Sequence, residues 1–311
     1  MLKNKLVVFF VLSHLMLCSQ SQITIEIIGG FGISHLSGDV YASKRTSFAN
    51  DVYTYEKMKD SVTVGYSGGI YCQYKFTDHF GIKTGGYFER SGQNFKNYVQ
   101  IFDDRAFSGD SIHETILQKR NIKLYYIGLP VLLTYNLVLK EKLGLSFAGG
   151  MSFNFLAKYQ IDYVRIQNGT IYYWNGPAYT PLDFEEVQYD VTSGNKMESN
   201  YSSTYSALSP GSSHNIYPMN RPAFRKFDPE LILSAQVQWN ITSQFSIPFG
   251  LVYKHGFRDI KDLTTEISNG NNSNPQMKYW SGSYNSLNPF LNSSFHFGSG
   301  IIYKFASQKQ E

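Results

Sequence analysis

Residues 61–88 read SVTVGYSGGIYCQYKFTDHFGIKTGGYF and contain two long runs in which apolar and polar residues alternate. From Val62 to Phe76 every second residue is apolar, aromatic or small, and the alternation restarts at Phe80 after a three-residue link. A period of two marks a β-strand whose two faces meet different surroundings. Each run is much longer than the usual strand of about 5–6 residues. The stretch therefore predicts a hairpin of long strands with one continuous apolar face.

The same alternation recurs along the chain and predicts eight long strands. From Leu143 to Phe155, odd-numbered positions are apolar or glycine, whereas even-numbered positions are Gly, Ser, Ala or Asn. Patterns of this kind place the predicted strands at approximately residues 23–36, 62–76, 80–94, 121–138, 143–161, 229–241, 245–258 and 290–305.

The connections between these strands alternate between short and long. Strands two and three, four and five, and six and seven are joined by the turns TDH, KEK and TSQ. The other connections are long, and the longest covers about residues 162–228. Short turns on the periplasmic side, long connections outside and an even strand count are typical of outer-membrane β-barrels.

The composition of the two strand faces favours lipid over a protein core. Only 17% of the residues are charged, whereas the chain contains 24 Tyr and 23 Phe. The faces opposite the apolar ones carry small and polar residues, which suits a narrow lumen better than a soluble surface. The prediction is an all-β fold, an eight-stranded antiparallel transmembrane β-barrel with long extracellular loops; a secreted β-sandwich or lipocalin-like barrel is the alternative. Aromatic residues at the short-turn ends predict an interfacial girdle: Tyr74, Phe76, Phe80, Tyr135, Trp239, Phe245, Tyr303 and Phe305.

The first residues of the chain predict export. A basic start and an apolar run at residues 6–17 precede small residues at the −3 and −1 positions of a cut before Gln22. This pattern predicts a secretory signal peptide at residues 1–21, followed by the barrel domain at residues 22–311. Lipid attachment at Cys18 is the alternative, although the bulky residue before it argues against this. The predicted location is the outer membrane of a Gram-negative cell.

Two segments resemble a known family. The run YYIGLPVLLTYNL at residues 125–137, followed by LGLSFAGGMSFNFLAKY at residues 143–159, resembles the PorT-like outer-membrane β-barrels of Bacteroidota. These proteins are close in architecture to OmpA- and OmpX-type barrels. The turn KFTDHFGIKTGGYF at residues 75–88 is similar to that family's second hairpin. The chain departs from the resemblance at Gly128, where many members carry an acidic side chain, and in its longer loops.

Charged residues on the lumen face are expected to pair, because an isolated buried charge is very costly. Glu26 lies on the first strand and Lys304 on the last, and barrel closure makes these strands neighbours. The sequence therefore predicts a structural Glu26–Lys304 ion pair in the lumen. Glu89, Lys158, Lys254 and Arg258 are expected on the lumen face towards the outside. Because eight strands enclose an interior that side chains nearly fill, a solute channel is not expected.

The motifs do not favour an enzyme, and no catalytic, cofactor-binding or metal-binding residues are predicted. The sequence contains no HExxH motif and no Cys/His cluster. Ser34 with His35, and His255 with Asp259, lie near the outer ends of strands. Ser34 and His35, however, are expected to point to opposite faces. A lipid A-modifying enzyme is therefore the weakest alternative.

The long connection at about residues 162–228 is the main clue to function. Its content of Tyr, Ser, Asn and Gly is typical of adaptable binding loops. The leading hypothesis is a non-enzymatic outer-membrane barrel whose long extracellular loops bind or assemble with other envelope or surface components. The alternative is a subunit of a larger outer-membrane secretion or assembly complex. Expected partners are outer-membrane lipid and lipopolysaccharide, and other outer-membrane or secretion-system proteins; a formal charge of +4 does not favour nucleic acid.

Overall fold

A computed structural model shows a chain built from β-strands. It describes residues 23–37, 41–47, 52–57, 59–106, 110–174, 179–194, 196–206, 208–218, 224–260 and 290–305. The predicted signal peptide and the connection at residues 261–289 lie outside the described residues. Within the described part of the chain, no helix is long and apolar enough to cross a membrane.

The described residues form fourteen strands. In chain order they are β1 (Ile23–Ser37), β2 (Tyr41–Ser47), β3 (Val52–Lys57), β4 (Lys59–Ser61), β5 (Thr63–Lys75), β6 (Phe80–Ala106), β7 (Asp110–Lys140), β8 (Leu143–Trp174), β9 (Tyr179–Ser193), β10 (Lys196–Tyr205), β11 (Leu208–Pro218), β12 (Phe227–Asn240), β13 (Phe245–Gly256) and β14 (Leu291–Lys304).

Eight of these strands close into a ring. Its order is β1, β5, β6, β7, β8, β12, β13 and β14, and every neighbouring pair is antiparallel. The ring closes between the first and last strands, where Ile27 pairs with Ile301 and Phe31 pairs with Phe297. The predicted eight-stranded antiparallel barrel is therefore confirmed, and each of the eight predicted segments supplies one strand of the ring.

The sequence alternation separates the outside of the barrel from its lumen. On β5, Val64 and Ile70 are 65% and 60% exposed, whereas Gln73 on the opposite face is 6% exposed. At the short-turn end, the rings of Phe80 and Tyr135 lie 5.0 Å apart on the outside. The outward side chains are apolar along the strands and aromatic at the short-turn end. This arrangement fits a hydrocarbon band bordered by an interfacial girdle.

The segment at residues 162–228, predicted as a loop, contains strands. β6, β7 and β8 continue far beyond the ring, and β9, β10 and β11 add to them in sequence order. The part of β8 nearer the short turns, its lower part, pairs with β12 as far as Phe155. The part farther from the short turns, its upper part, pairs with β9 from Ile161 onwards. We call the upper parts of β6–β8 together with β9–β11 the outward sheet. It lies on the long-connection side, which faces the cell exterior in barrels of this kind.

A β-bulge on β8 changes which residues face inwards. Tyr126 pairs with Leu156, whereas Tyr125 pairs with Lys158, so Ala157 is an extra residue. One extra residue moves the following side chains to the opposite face. Lys158 is consequently exposed on the outside, and the prediction that it lies in the lumen is wrong.

An apolar cluster fills the outer mouth of the barrel, and we call it the mouth core. The rings of Tyr159 and Phe224 meet edge to face at 5.3 Å, and those of Phe95 and Phe290 at 6.3 Å. The cluster separates the lumen from the outward sheet. Its buried members are Leu36, Phe95, Ile122, Leu124, Tyr126, Tyr159, Ile161, Met197, Phe224, Ile260 and Phe290.

The outward facing of Ile70 gives a direct test of the membrane arrangement. We expect Ile70→Arg to destabilise the barrel in lipid vesicles by about 2–4 kcal/mol, because the charge enters hydrocarbon. Ile70→Val keeps the site apolar and is the matched control. Urea titration of vesicle-refolded protein measures both variants. Equal stability of Ile70→Arg and Ile70→Val would contradict the facing of β5.

Candidate functional site

Glu26 and Lys304 have different partners from the predicted ones. The buried carboxylate of Glu26 forms an ion pair with Lys83 and accepts a hydrogen bond from Gln236, both across the lumen. The Nζ of Lys304 donates instead to Oδ1 of Asn240 at 2.8 Å, near the short-turn end. Both residues face the lumen side, as the alternation implied. Their partners depend on how strands tilt across the barrel, which the strand order alone does not reveal.

A second charged cluster lies higher in the lumen, around Glu89. This carboxylate is 1% exposed and forms an ion pair with Lys254. It also accepts hydrogen bonds from Ser294 at 2.8 Å and, at 3.0 Å, contacts Nε2 of His296. The Nζ of Lys254 lies 3.7 Å from the centre of the Tyr87 ring. The predicted lumen positions of Glu89 and Lys254 are confirmed, and their pairing places these two buried charges in direct contact.

The glycine at position 128 is explained by its neighbours. A Cβ at Gly128 would lie 2.4 Å from the ring of Tyr87, closer than real Cβ contacts allow. The hydroxyl of Tyr87 meets Ser152 at 3.0 Å and donates to Asn154 at 2.8 Å. The Tyr87 ring therefore occupies the space that an acidic side chain at position 128 would need.

Little free space remains inside the barrel. A cavity of about 60 Å³ lies between the two charged clusters and is lined by residues that include Tyr71, Lys83, Lys254 and His296. A volume of this size holds only a few water molecules.

Ser34 and His35, named from the sequence as candidate catalytic residues, are not brought together. Ser34 is buried and exchanges hydrogen bonds with the backbone of Gly92, whereas His35 faces outwards and its Nε2 lies 2.9 Å from Asp60. Asp259 accepts a hydrogen bond from the backbone of Phe290 at 3.1 Å. The expected opposite facing of Ser34 and His35 is confirmed.

The structure reveals a serine that sequence reasoning missed. Oγ of Ser293 lies 2.9 Å from Nδ1 of His255. Ser293 is also in register with His35 on its other side. Asp60, Ser293 and the two histidines thus form one row across the outer surface, which we call the histidine row. Cross-strand register creates the row, and spacing along the sequence contains no signal of it.

The histidine row lies at the outer edge of the hydrocarbon band. Ten residues separate His255 from Phe245 of the girdle on β13. At about 3.3 Å per residue and a tilt of about 40°, this corresponds to roughly 25 Å of height, the thickness of the apolar band. Tyr253 and Phe257, which flank His255, are 41% and 55% exposed. The row therefore lies where the ester groups and headgroups of outer-leaflet lipids begin.

The outward sheet carries an apolar patch on its outer face, which we call the sheet patch. Its residues lie side by side on four strands. Tyr98 pairs with Leu117, Leu117 pairs with Ile166, and Ile166 pairs with Val187. Tyr189 is 39% exposed and the neighbouring residues are partly exposed. Polar residues such as Asn200 border the patch. Its members are Tyr98, Leu117, Val164, Ile166, Val187, Tyr189 and Val191.

The inner face of the outward sheet is polar and internally bonded. Gln167 donates to Glu114 at 2.6 Å, and the hydroxyl of Tyr205 donates to Glu186 at 2.6 Å. These contacts join neighbouring strands and hold the sheet in one shape. No group of three or more His, Cys, Asp or Glu side chains in the described ranges is arranged to hold a metal ion.

The ion pair between Glu26 and Lys83 can be tested with a double-mutant cycle. We expect Glu26→Leu to cost about 3–5 kcal/mol, because Lys83 is then left as an unpaired buried charge. Adding Lys83→Met should recover part of this loss, whereas adding Lys304→Met should not. Urea unfolding in detergent measures both cycles. Zero coupling between Glu26 and Lys83, or equal coupling in the two cycles, would refute this pairing.

Known proteins were compared with the chain by sequence and by structure. The search of curated proteins gave no match. Solved structures with a similar fold include Neisserial surface protein A (10% identity, 91% of this chain and 97% of that chain covered, TM-score 0.34) and the outer membrane protein OprG from Pseudomonas aeruginosa (10%, 93% and 98%, TM-score 0.36). The outer membrane protease OmpT from Escherichia coli is also similar (12%, 91% and 96%, TM-score 0.33).

These structural likenesses are too distant to carry an argument. The model of the outer membrane protein beta-barrel domain, in contrast, matches residues 18–262, which is most of the chain. The chain therefore belongs to the family of outer membrane proteins with this β-barrel domain, and its location is the outer membrane.

Proposed function

We propose that this protein is a non-enzymatic surface barrel that uses its outward sheet to bind or assemble with another protein of the envelope or cell surface. The sheet patch is the observation that carries this proposal. Apolar surface gathered on one exposed face and bordered by polar residues is typical of interaction sites. Tyr98 and Tyr189 provide large contact areas with few rotatable bonds.

The construction of the outward sheet supports this role. Most of its strands are hydrogen-bonded on both sides, and its inner face is joined by bonds such as Gln167 to Glu114. A rigid surface loses little conformational entropy when a partner binds. The sheet patch can therefore bind a partner more tightly than a mobile loop of the same composition, because such a loop would lose conformational entropy on binding.

The lipid partner in this proposal is lipopolysaccharide. Arg90 and Lys158 flank Tyr125 in register on the outer surface, just above the apolar band. Cationic side chains at this height suit the phosphate groups of outer-leaflet lipid. We further propose that residues 1–21 direct export, and that the partner protein belongs to a PorT-like secretion or assembly complex, in line with the sequence resemblance at residues 125–159.

Patch variants test the binding proposal. We expect the double change Val187→Asp/Tyr189→Asp to remove the co-purifying partner in mild detergent, because two charges enter the apolar contact. Asn200→Asp is the matched control, since it adds a charge in register with Tyr189 but outside the patch. A folded double variant that retains the same partner in the same amount would contradict the proposal.

A second candidate function is supported by the histidine row. Ser293 and His255 lie within the distance at which a base activates a nucleophile, at the height inferred above for lipid ester groups. In this reaction Oγ of Ser293 attacks an ester carbonyl, its proton passes to His255, and His255 returns it to the departing alcohol. Water then hydrolyses the acyl-serine. His35, oriented by Asp60, is placed to stabilise negative charge on the carbonyl oxygen.

Fatty-acid release distinguishes this second candidate from the first. If the second candidate function is correct, the purified barrel should release fatty acid from labelled phospholipid or lipopolysaccharide. Ser293→Ala should then lower the rate of release at least about 100-fold. Ser212→Ala, on the exposed face of β11, is the control and should retain full activity. Wild-type release no greater than that of Ser293→Ala would exclude the enzyme.

A further inference from the structure

Five buried side-chain oxygen atoms near the top of the lumen have no hydrogen-bond partner in satisfactory geometry. They are Oδ1 and Oδ2 of Asp228, Oε2 of Glu230, Oδ1 of Asn292 and the hydroxyl of Tyr126. Each of these four residues is at most 1% exposed. A buried polar atom left unpaired costs about 1–3 kcal/mol, and more if it is charged. Such a group of orphaned oxygens in one place requires a physical explanation.

The strands of the barrel bring these atoms together. Asp228 and Glu230 alternate on β12, so both side chains point into the lumen. Asn292 on β14 donates its Nδ2 to Oε1 of Glu230 at 2.8 Å, which leaves its own oxygen directed at the same region. Gly256 on β13 lies between them, because a Cβ there would lie 3.0 Å from Oδ1 of Asp228. Tyr126 on β7 interacts electrostatically with both carboxylates.

The charge of this cluster is not balanced by the protein. Lys254 is the nearby buried cation, but it forms its ion pair with Glu89, which itself repels Asp228 and Glu230. Arg258 interacts with Asp228 but is solvent-exposed, which weakens its effect. Two carboxylates therefore remain in a water-poor site beneath the mouth core. Uncompensated buried charge of this size is very costly.

We propose that Asp228, Glu230, Asn292 and Tyr126 bind a divalent cation of the calcium class. All the orphaned atoms are oxygens, the donors preferred by hard cations. Carboxylate, amide and hydroxyl oxygens are combined, and their two negative charges match one divalent ion. Calcium accepts 6–8 oxygen ligands in flexible geometry, so the five atoms leave room for water. The site is independent of what the outward sheet binds.

A proton shared between the two carboxyl groups explains fewer of the unpaired oxygens than a bound cation does. One proton shared between the directly interacting side chains of Asp228 and Glu230 neutralises one carboxyl group and leaves a second buried charge and the oxygen of Asn292 unpaired. A cation held by Asp228, Glu230 and Asn292 would satisfy unpaired oxygens of all three residues. It also connects β7, β12 and β14, which are separate strands of the ring. Binding should therefore stabilise the closed barrel as a whole.

Calcium-dependent unfolding of the full barrel tests the site. Protein refolded in lipopolysaccharide-free detergent with excess Ca²⁺ should have a higher Tm than protein refolded with a chelator. Calorimetric titration of the chelator-treated protein should show one bound ion. The double variant Asp228→Asn/Glu230→Gln should abolish both signals, because it removes the charged ligands. The variant should remain folded in the presence of a chelator, because it also removes the repulsion between the two carboxylates. Tyr126→Phe should weaken binding roughly tenfold or more.

Glu198→Gln, which removes an exposed carboxylate on β10, is the control for calcium binding at the surface and should retain both signals. A Tm that is equal with Ca²⁺ and chelator, together with no heat of binding, would show that the carboxyl groups share a proton and would overturn the proposal. Equal calcium binding by wild type and the Asp228→Asn/Glu230→Gln variant would overturn it as well. If that double variant does not fold, the Tyr126→Phe comparison decides between the same outcomes.

Discussion

Closure of the ring between β1 and β14 is the constraint on which the rest of the structure depends. In hydrocarbon no water is present to bond peptide groups, so each strand within the apolar band needs a neighbour on both sides. The chain meets this need by pairing Thr24 with Lys304 and continuing as far as Ser37 opposite Leu291. Without this seam, two open edges would face lipid. The narrow lumen, and the need to pair every charge within it, follow from closure with only eight strands.

The narrow lumen in turn determines which side chains are compatible. Tyr87 fills the centre because Gly128 has no side chain, and its hydroxyl is held by Ser152 and Asn154. Charges lie in separate groups at different heights, with Glu26 and Lys83 below and Glu89 above. Each group depends on contacts across the barrel. Removing one member therefore affects strands that are distant in the sequence.

The barrel strands could be predicted from the sequence because lipid on one face and a lumen on the other impose strong alternation. The outward sheet could not, since both of its faces are partly polar and its strands resemble a polar loop in composition. Lys158 was misplaced because the bulge at Ala157 leaves no mark in the pattern. The partners of Glu26, and the contact of Ser293 with His255, depend on strand tilt and register. Alternation indicates which face a residue occupies, but not what lies opposite.

The branching of β8 explains how a membrane barrel can carry a rigid outward sheet. Where β12 leaves the edge of β8, β9 takes its place within six residues, so little of that edge is left unpaired. One exposed edge is thereby transferred to β11, and the other lies on β6 beyond Lys96, where the pairing with β4 ends among the described strands. β11 contains Pro210 and Pro218, and proline lacks the donor that an added strand would need. A partner is thus discouraged from adding a strand at β11, and the outer face, where the sheet patch lies, offers apolar surface suited to binding.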